Sequence, residues 1–133
     1  MAIKRDASDK WFSDAIRLRD NWCCRICGKS FGGPDQGLHT MHIVGRREKI
    51  VRWSADNAVA GCAACHRKMS EDPIGWVRWL EKTLGEGHIE LLTEKRREHL
   101  KTTKATRADV ARHYREEFRR MEETGCRDLV SWI

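Results

Sequence analysis

The sequence has no run of 18 apolar residues, no apolar stretch in its opening MAIKRDASDK, no internal repeat and no low-complexity segment. The first absence excludes a membrane-spanning helix on length alone. The second removes the apolar h-region of a secretory signal, so a cytoplasmic protein with no membrane partner is expected. The lack of repeats leaves one core with helical extensions as the expectation for 133 residues. Acid is not in excess either: 26 Lys+Arg stand against 20 Asp+Glu, a formal charge of +6.

What is present is cysteine and tryptophan, six of each. In a reducing cytoplasm six cysteines are not expected to form disulfides, so their spacing decides their use. A charged fraction of 35% would suggest disorder in a chain poor in apolar residues, but 40% hydrophobic content and the tryptophans argue for a core. A core this small usually needs a staple.

Three segments follow from the changes in composition: an N-terminal helix over 1–20, a cysteine-rich core over 21–85 and a helical C-terminal extension over 86–133. Their net charges are +1, +4 and +1. The segment holding the paired cysteines therefore carries most of the excess charge, which suggests a polyanionic partner.

Residues 9–20 place Phe12, Ala15, Ile16 and Arg19 at helical spacing, with Ser8 or Asp9 as the N-cap. Residues 28–37 read as a loop, and LHTMHIV alternates as a strand. A second strand is expected over Ile50–Trp53. CAACHRKM begins a short helix that ends before Asp72-Pro73, and a further helix runs to a C-cap at Gly85 with Ile74, Val77, Leu80 and Leu84 as its buried stripe and Trp76 and Trp79 flanking it. The extension offers helices over 88–101 and 106–123. The second has a capping box at Thr106 and Asp109 and a core face of Val110, Tyr114, Phe118 and Met121. Its other faces read as solvated and ion-paired.

Cys24-Arg25-Ile26-Cys27 and Cys62-Ala63-Ala64-Cys65 are two CxxC pairs with 34 residues between them. A CxxC turn presents two thiolates from one tight knuckle, and two such turns close the tetrahedral site that zinc favours. Gly28 suits a knuckle that needs positive φ, and the second pair at a helix start gains from the helix dipole. Knuckle, hairpin and helix in this order make a treble-clef pattern. Separate buried thiols or a redox pair are the competing reading. Four thiolates leave no open coordination position, so this zinc is expected to be structural. Cys126 has no partner in sequence and reads as a semi-buried free thiol.

His42 at the end of the first strand, Asn57 before the second CxxC and His66 directly after it resemble the HNH, or ββα-metal, nucleases. Taken singly, a histidine after CxxC is often only a first-turn helix residue, and Asp-Asn is a common turn. The resemblance implies an α+β, zinc-stapled treble-clef ββα-metal (HNH) core with flanking N- and C-terminal helices. It also implies that His42 is the general base, that Asn57 fixes the loop or the histidine ring, and that His66 helps to hold a catalytic Mg²⁺ or Mn²⁺. The chemistry explains the types: a histidine near neutral pKa can take a proton from water, and a divalent ion stabilises developing charge on phosphate.

Over residues 9–121 the motifs WFSDAIRLRD, CRICGK, HIVGRR, RWSADN, CAACH and ATRADVARHYREEF are similar to the phage recombination endonucleases of the lambda NinG (Rap) type. That likeness implies nicking of branched or recombination-intermediate DNA. Many HNH enzymes carry a metal-binding Asp or His immediately before the base, where this chain has Met41, a poor ligand for Mg²⁺ or Mn²⁺. His39 lies on the same strand face as residue 41 and offers a substitute ligand, and Asn57 and His66 complete the expected set.

Arg46, Arg47, Lys49 and Arg52 follow the candidate base within seven residues, opposed only by Glu48, and are the expected phosphate contacts, with Arg67 and Lys68 next. No residue set suggests base readout. Trp53, Trp76 and Trp79 are expected in the core rather than as stacking platforms. Two other classes of function compete with a nuclease: a zinc-stabilised DNA-binding module whose site has decayed at Met41, and a protein-binding zinc adaptor. A homodimer through the tail helices is a further expectation.

Overall fold

The computed structural model describes residues 5–45, 49–98 and 102–133. Helix α1 (Ala7–Arg19) is capped by Asp6, not by Ser8 or Asp9. The Asp6 carboxylate accepts from the Ser8 and Asp9 amides, and the Asp9 carboxylate accepts from the Asp6 amide. The reciprocal box needs an acceptor side chain at the N-cap and another three residues on, and Asp6 and Asp9 supply them. Asp9 thereby becomes a first-turn residue, and its side chain is free to turn inward.

Strand β1 (Leu38–His42) pairs antiparallel with β2 (Ala58–Cys62), with Leu38 opposite Cys62 and His42 opposite Ala58. The strand expected over Ile50–Trp53 is absent. Lys49–Arg52 form one helical turn, α2, and Ala55–Asn57 a 3₁₀ turn. Val51 and Trp53 are both fully buried, but in different clusters, so no single sheet face could take both. β2, Ala-Val-Ala-Gly-Cys, has weak intrinsic strand preference, yet all five of its residues are buried. Its small side chains allow close packing: a Cβ on Gly61 would stand 2.1 Å from the Met41 sulfur.

β2 leads directly into α3 (Ala63–Glu71), whose N-cap is Cys62. Helix α4 (Pro73–Leu84) starts at an Asp72 cap with proline at its first turn and stops at Gly85, φ +88°. Of the expected buried stripe, Leu80 is buried and Leu84 partly so, but the first half of the helix is turned differently. Ile74 is 68% exposed and Val77 46%, whereas Trp76 and Trp79, stacked at 5.5 Å, pack with Leu84 against Met41, Val59 and Met69. Two indoles cover more apolar area than an isoleucine and a valine, and that difference sets the helix rotation. Helix α5 spans Glu86–Lys95 rather than 88–101, of which 99–101 lie outside the described residues. Helix α6 (Lys104–Thr124) is capped by Thr103, whose hydroxyl accepts from the Thr106 amide, so Thr106 is inside the helix.

α1 and α6 pack face to face. Phe12, Ala15 and Ile16 meet Val110, Tyr114 and Met121 around Trp53, with Phe118 partly buried at the edge. Residues 125–133 have no regular structure but are tied along this core. The Val130 amide donates to Glu117 (2.8 Å), the Ala55 amide to the Ser131 hydroxyl (2.9 Å) and the Trp132 amide to the Tyr114 oxygen (3.1 Å). Tyr114 in turn donates to the Trp53 carbonyl, and burial pushes its hydroxyl up to about 12. Among the described residues no helix is long and apolar enough to cross a membrane. The described chain is thus α+β, with one two-stranded antiparallel sheet enclosed by helices.

Candidate functional site

The two CxxC pairs converge. The Cys24, Cys27, Cys62 and Cys65 sulfurs all lie within 4.8 Å of one another, and Cys27 and Cys62 are 3.8 Å apart. A tetrahedral ion with Zn–S bonds of about 2.3 Å requires sulfur–sulfur edges of about 3.8 Å. The first knuckle is closed by the Gly28 amide on the Cys24 carbonyl (2.9 Å), with Gly28 at φ +80° as its spacing demands. In the second, the Cys65 amide points at the Cys62 sulfur from 3.4 Å.

Burial opposes ionisation of Cys24, yet backbone N–H groups of Cys27, Cys62 and Ile26 outweigh it and bring the thiol down to about 7. Burial and the three neighbouring sulfurs push Cys65 up to about 12. Four thiols this close cannot all ionise without a cation among them, and the donor set fits a structural metal such as zinc. Cys23 stands apart, with its sulfur on the Asn21 carbonyl (3.2 Å), and Cys126 is exposed rather than semi-buried.

The histidines lie beyond this cluster along β1. Leu38, Thr40 and His42 face α1: Thr40 bonds Ser13 at 2.7 Å, and the His42 ring stacks on Phe12 at 5.6 Å. His39 and Met41 face α3, where His66 and Met69 are one turn apart. The His39 and His66 Nδ1 atoms are 3.0 Å apart, with their rings at 76°. Burial, and next the charge of His39, hold His66 below the ordinary histidine range, which favours the neutral form that binds metals. Met41 is 3% exposed and sits in the core with Val59, so it offers the cleft nothing. All three histidines line one cleft of about 890 Å³ along the open edge of β1, walled by α1 and the 34–36 loop.

His42 Nε2 lies 3.1 Å from the Arg52 carbonyl. A carbonyl oxygen only accepts, so Nε2 carries the proton and the neutral ring has its lone pair on Nδ1. Asn57 holds the segment that supplies this carbonyl. Its Oδ1 accepts from the Val44 amide (2.7 Å), and its Nδ2 donates to the Val44 (2.8 Å) and Val51 (3.1 Å) carbonyls. Asn57 has no exposure and its amide is engaged with the backbone through both Oδ1 and Nδ2, so it clamps this loop, and it is not among the residues that line the cleft.

Arg52 also departs from expectation. It is 3% exposed and forms a two-point ion pair with Asp9, Nε to Oδ1 at 3.0 Å and Nη2 to Oδ2 at 2.6 Å, so it has no access to phosphate. Arg46 and Arg47 lie outside the described residues, as does the side chain of Lys49, whose backbone opens α2. Arg67 and Lys68 are exposed on α3. Two cations of the cleft were not expected: Arg5, at its rim, and Arg17, whose guanidinium reaches the Leu38 carbonyl (3.1 Å) and Asp14 (2.6 Å). The one-turn spacing of Asp9, Ser13 and Arg17 along α1 is the sequence signal for Arg17, and Arg5, ahead of the helix, has none. No family model matches the chain, and no curated protein and no solved structure matches it.

Proposed function

We propose that this protein is a metal-dependent DNA endonuclease of HNH type, built on a zinc-stapled treble clef and acting on branched or recombination-intermediate DNA. The observation that carries the reading is the meeting of His42, His39 and His66 in one open cleft beside the four-cysteine cluster. Knuckle, antiparallel pair and helix follow one another as a treble clef requires, with Cys62 ending β2 and capping α3.

In this reading His42 takes a proton from the attacking water, with its ring oriented by the Nε2 contact to the Arg52 carbonyl. Stacking on Phe12 fixes the ring plane, and Asn57 fixes the backbone that orients it. His39 and His66 are the residues that would hold a divalent ion. When bound, such an ion supplies positive charge to the scissile phosphate and its leaving oxygen. Arg67 and Lys68, with Arg46, Arg47 and Lys49, serve the DNA backbone by charge, which fits recognition of shape rather than of bases. The +4 carried by residues 21–85 supports a DNA partner.

The test is nicking of linear duplex, single-stranded and four-way-junction DNA in Mg²⁺, Mn²⁺ or EDTA. Cleavage that needs the metal and favours the junction is expected; cleavage undiminished in EDTA would contradict the reading. A second reading is favoured by the burial of Met41 where the resemblance places a ligand: a zinc-stabilised DNA-binding module with an impaired site. It predicts salt-sensitive DNA binding with no nicking in any divalent metal.

A further inference from the structure

The carbonyl that His42 Nε2 meets at 3.1 Å belongs to the peptide joining Arg52 to Trp53. Both side chains flanking this peptide are held by one carboxylate, that of Asp9 on α1. Its Oδ1 accepts from Arg52 Nε (3.0 Å) and from the Trp53 indole (3.3 Å), and its Oδ2 accepts from Arg52 Nη2 (2.6 Å). A planar peptide turns only about ψ of its first residue and φ of its second. Arg52 is 3% exposed and Trp53 has no exposure, so fixing both side chains in the interior restricts both rotations. The next peptide is held as well, because the Trp53 carbonyl accepts from the Tyr114 hydroxyl. One turn along α1 from Asp9, Phe12 stacks on the His42 ring itself.

Stability alone does not account for the pair. Desolvating two charges offsets most of their attraction, and apolar side chains of the same volume often serve a core as well or better. What a two-point pair adds is direction, since two parallel bonds fix the guanidinium plane. We propose that Asp9 is a positioning residue for His42, acting through the Arg52–Trp53 peptide, so that α1 is part of the reaction site and not only a helix packed beside it. The peptide then presents a fixed acceptor to Nε2, which keeps the neutral imidazole in one tautomer and one orientation. The cysteine-rich 21–85 segment therefore depends on α1 to hold its own base. The catalytic consequence rests on the proposed reading of His42 as general base; the hold on the ring does not.

The experiment uses the full-length, zinc-loaded protein with two variants. Asp9→Asn keeps the side-chain shape but cannot accept at both ends, and Arg52→Lys keeps the charge but loses the two-point geometry; either one decides the matter if the other does not fold. Two-bond proton–nitrogen correlation of the His42 ring needs no DNA. The neutral wild-type ring is expected to be a single tautomer protonated at Nε2, and the variants a mixture. Single-turnover cleavage of four-way-junction DNA is expected to slow by about 10–10²-fold, with zinc content and DNA affinity unchanged. In a His42→Ala background Asp9→Asn should slow cleavage no further, whereas a general loosening of the fold would add to the loss. A mixture of tautomers already present in the wild type would overturn the proposal without recourse to any variant. So would a single Nε2–H tautomer kept in the folded variants, or a loss of rate that adds to that of His42→Ala. A tautomer that changes in the variants of a protein that cuts no DNA upholds the positioning and sinks the nuclease reading.

Discussion

Asp9 and Arg52, 43 residues apart, form a two-point ion pair whose side chains are 6% and 4% exposed, with the Trp53 indole as a third partner on Asp9. The pair joins the first turn of α1 to the end of α2, and the Arg52 carbonyl in turn holds His42. Removing one member leaves the other charged and buried, at a cost of about 3–5 kcal/mol. Arg52→Ala is therefore expected to lower unfolding stability by that amount in urea titration. A variant of native stability that binds DNA less well would instead return Arg52 to the phosphate contacts.

The four-cysteine cluster is expected to hold one zinc per chain and to carry much of the stability of the small Met41–Val59–Met69 core beside it. Chelation should collapse the thermal transition, and zinc should restore it. Cys27→Ser, at an exposed ligand, should lose the metal although it removes little packing. A chelator-treated protein melting at the same temperature as the holo form would refute a structural metal.

The legible parts were those in which residue type and spacing carry the chemistry alone. CxxC spacing foretold the cysteine cluster, and two of the residues singled out by their order, His42 and His66, both line the cleft along β1. What sequence does not encode locally is which partner a charge or an apolar face will find. Arg52 reads like its basic neighbours until Asp9 turns toward it. The β-branched run Ile50-Val51 suggests a strand, but Asn57 takes up the Val51 carbonyl and leaves β2 to the small residues 58–62. Ile74 and Val77 look like core until Trp76 and Trp79 compete for the same surface. The 125–133 segment has no periodicity at all, and its order comes from Glu117, Tyr114 and Ser131.

Asn57 is expected to behave as a structural clamp. Asn57→Ala takes the Asn57 partner from the Val44 amide and carbonyl and leaves the Val51 carbonyl with the Ser54 amide alone, and a loss of about 2–3 kcal/mol is expected. Asn57→Asp should cost more, because a carboxylate would face two carbonyl oxygens in a site with no exposure. Denaturant midpoints for both variants check this. Native stability in Asn57→Asp, with activity lost, would point to a chemical role instead.

The bond to Arg120, aided by the Val130 amide, holds the Glu117 carboxyl below the usual glutamate range. A depressed carboxylate pKa contributes stability that is present above the unfolded value of about 4.3 and lost as pH falls through the lower folded value. The 125–133 segment should thus loosen in acid, below about pH 4. The Val130 amide resonance should shift with the titration of Glu117, and Glu117→Gln should abolish that shift. An amide that titrates equally in the variant would contradict the link.

The most direct test is the single-turnover rate of four-way-junction cleavage by wild type and by His42→Ala, with zinc content and DNA affinity measured on the same samples. Loss of a general base costs typically about 10²–10⁴-fold in rate. The proposed mechanism predicts a fall of that size with zinc and DNA binding retained. Equal rates in the two proteins would contradict it.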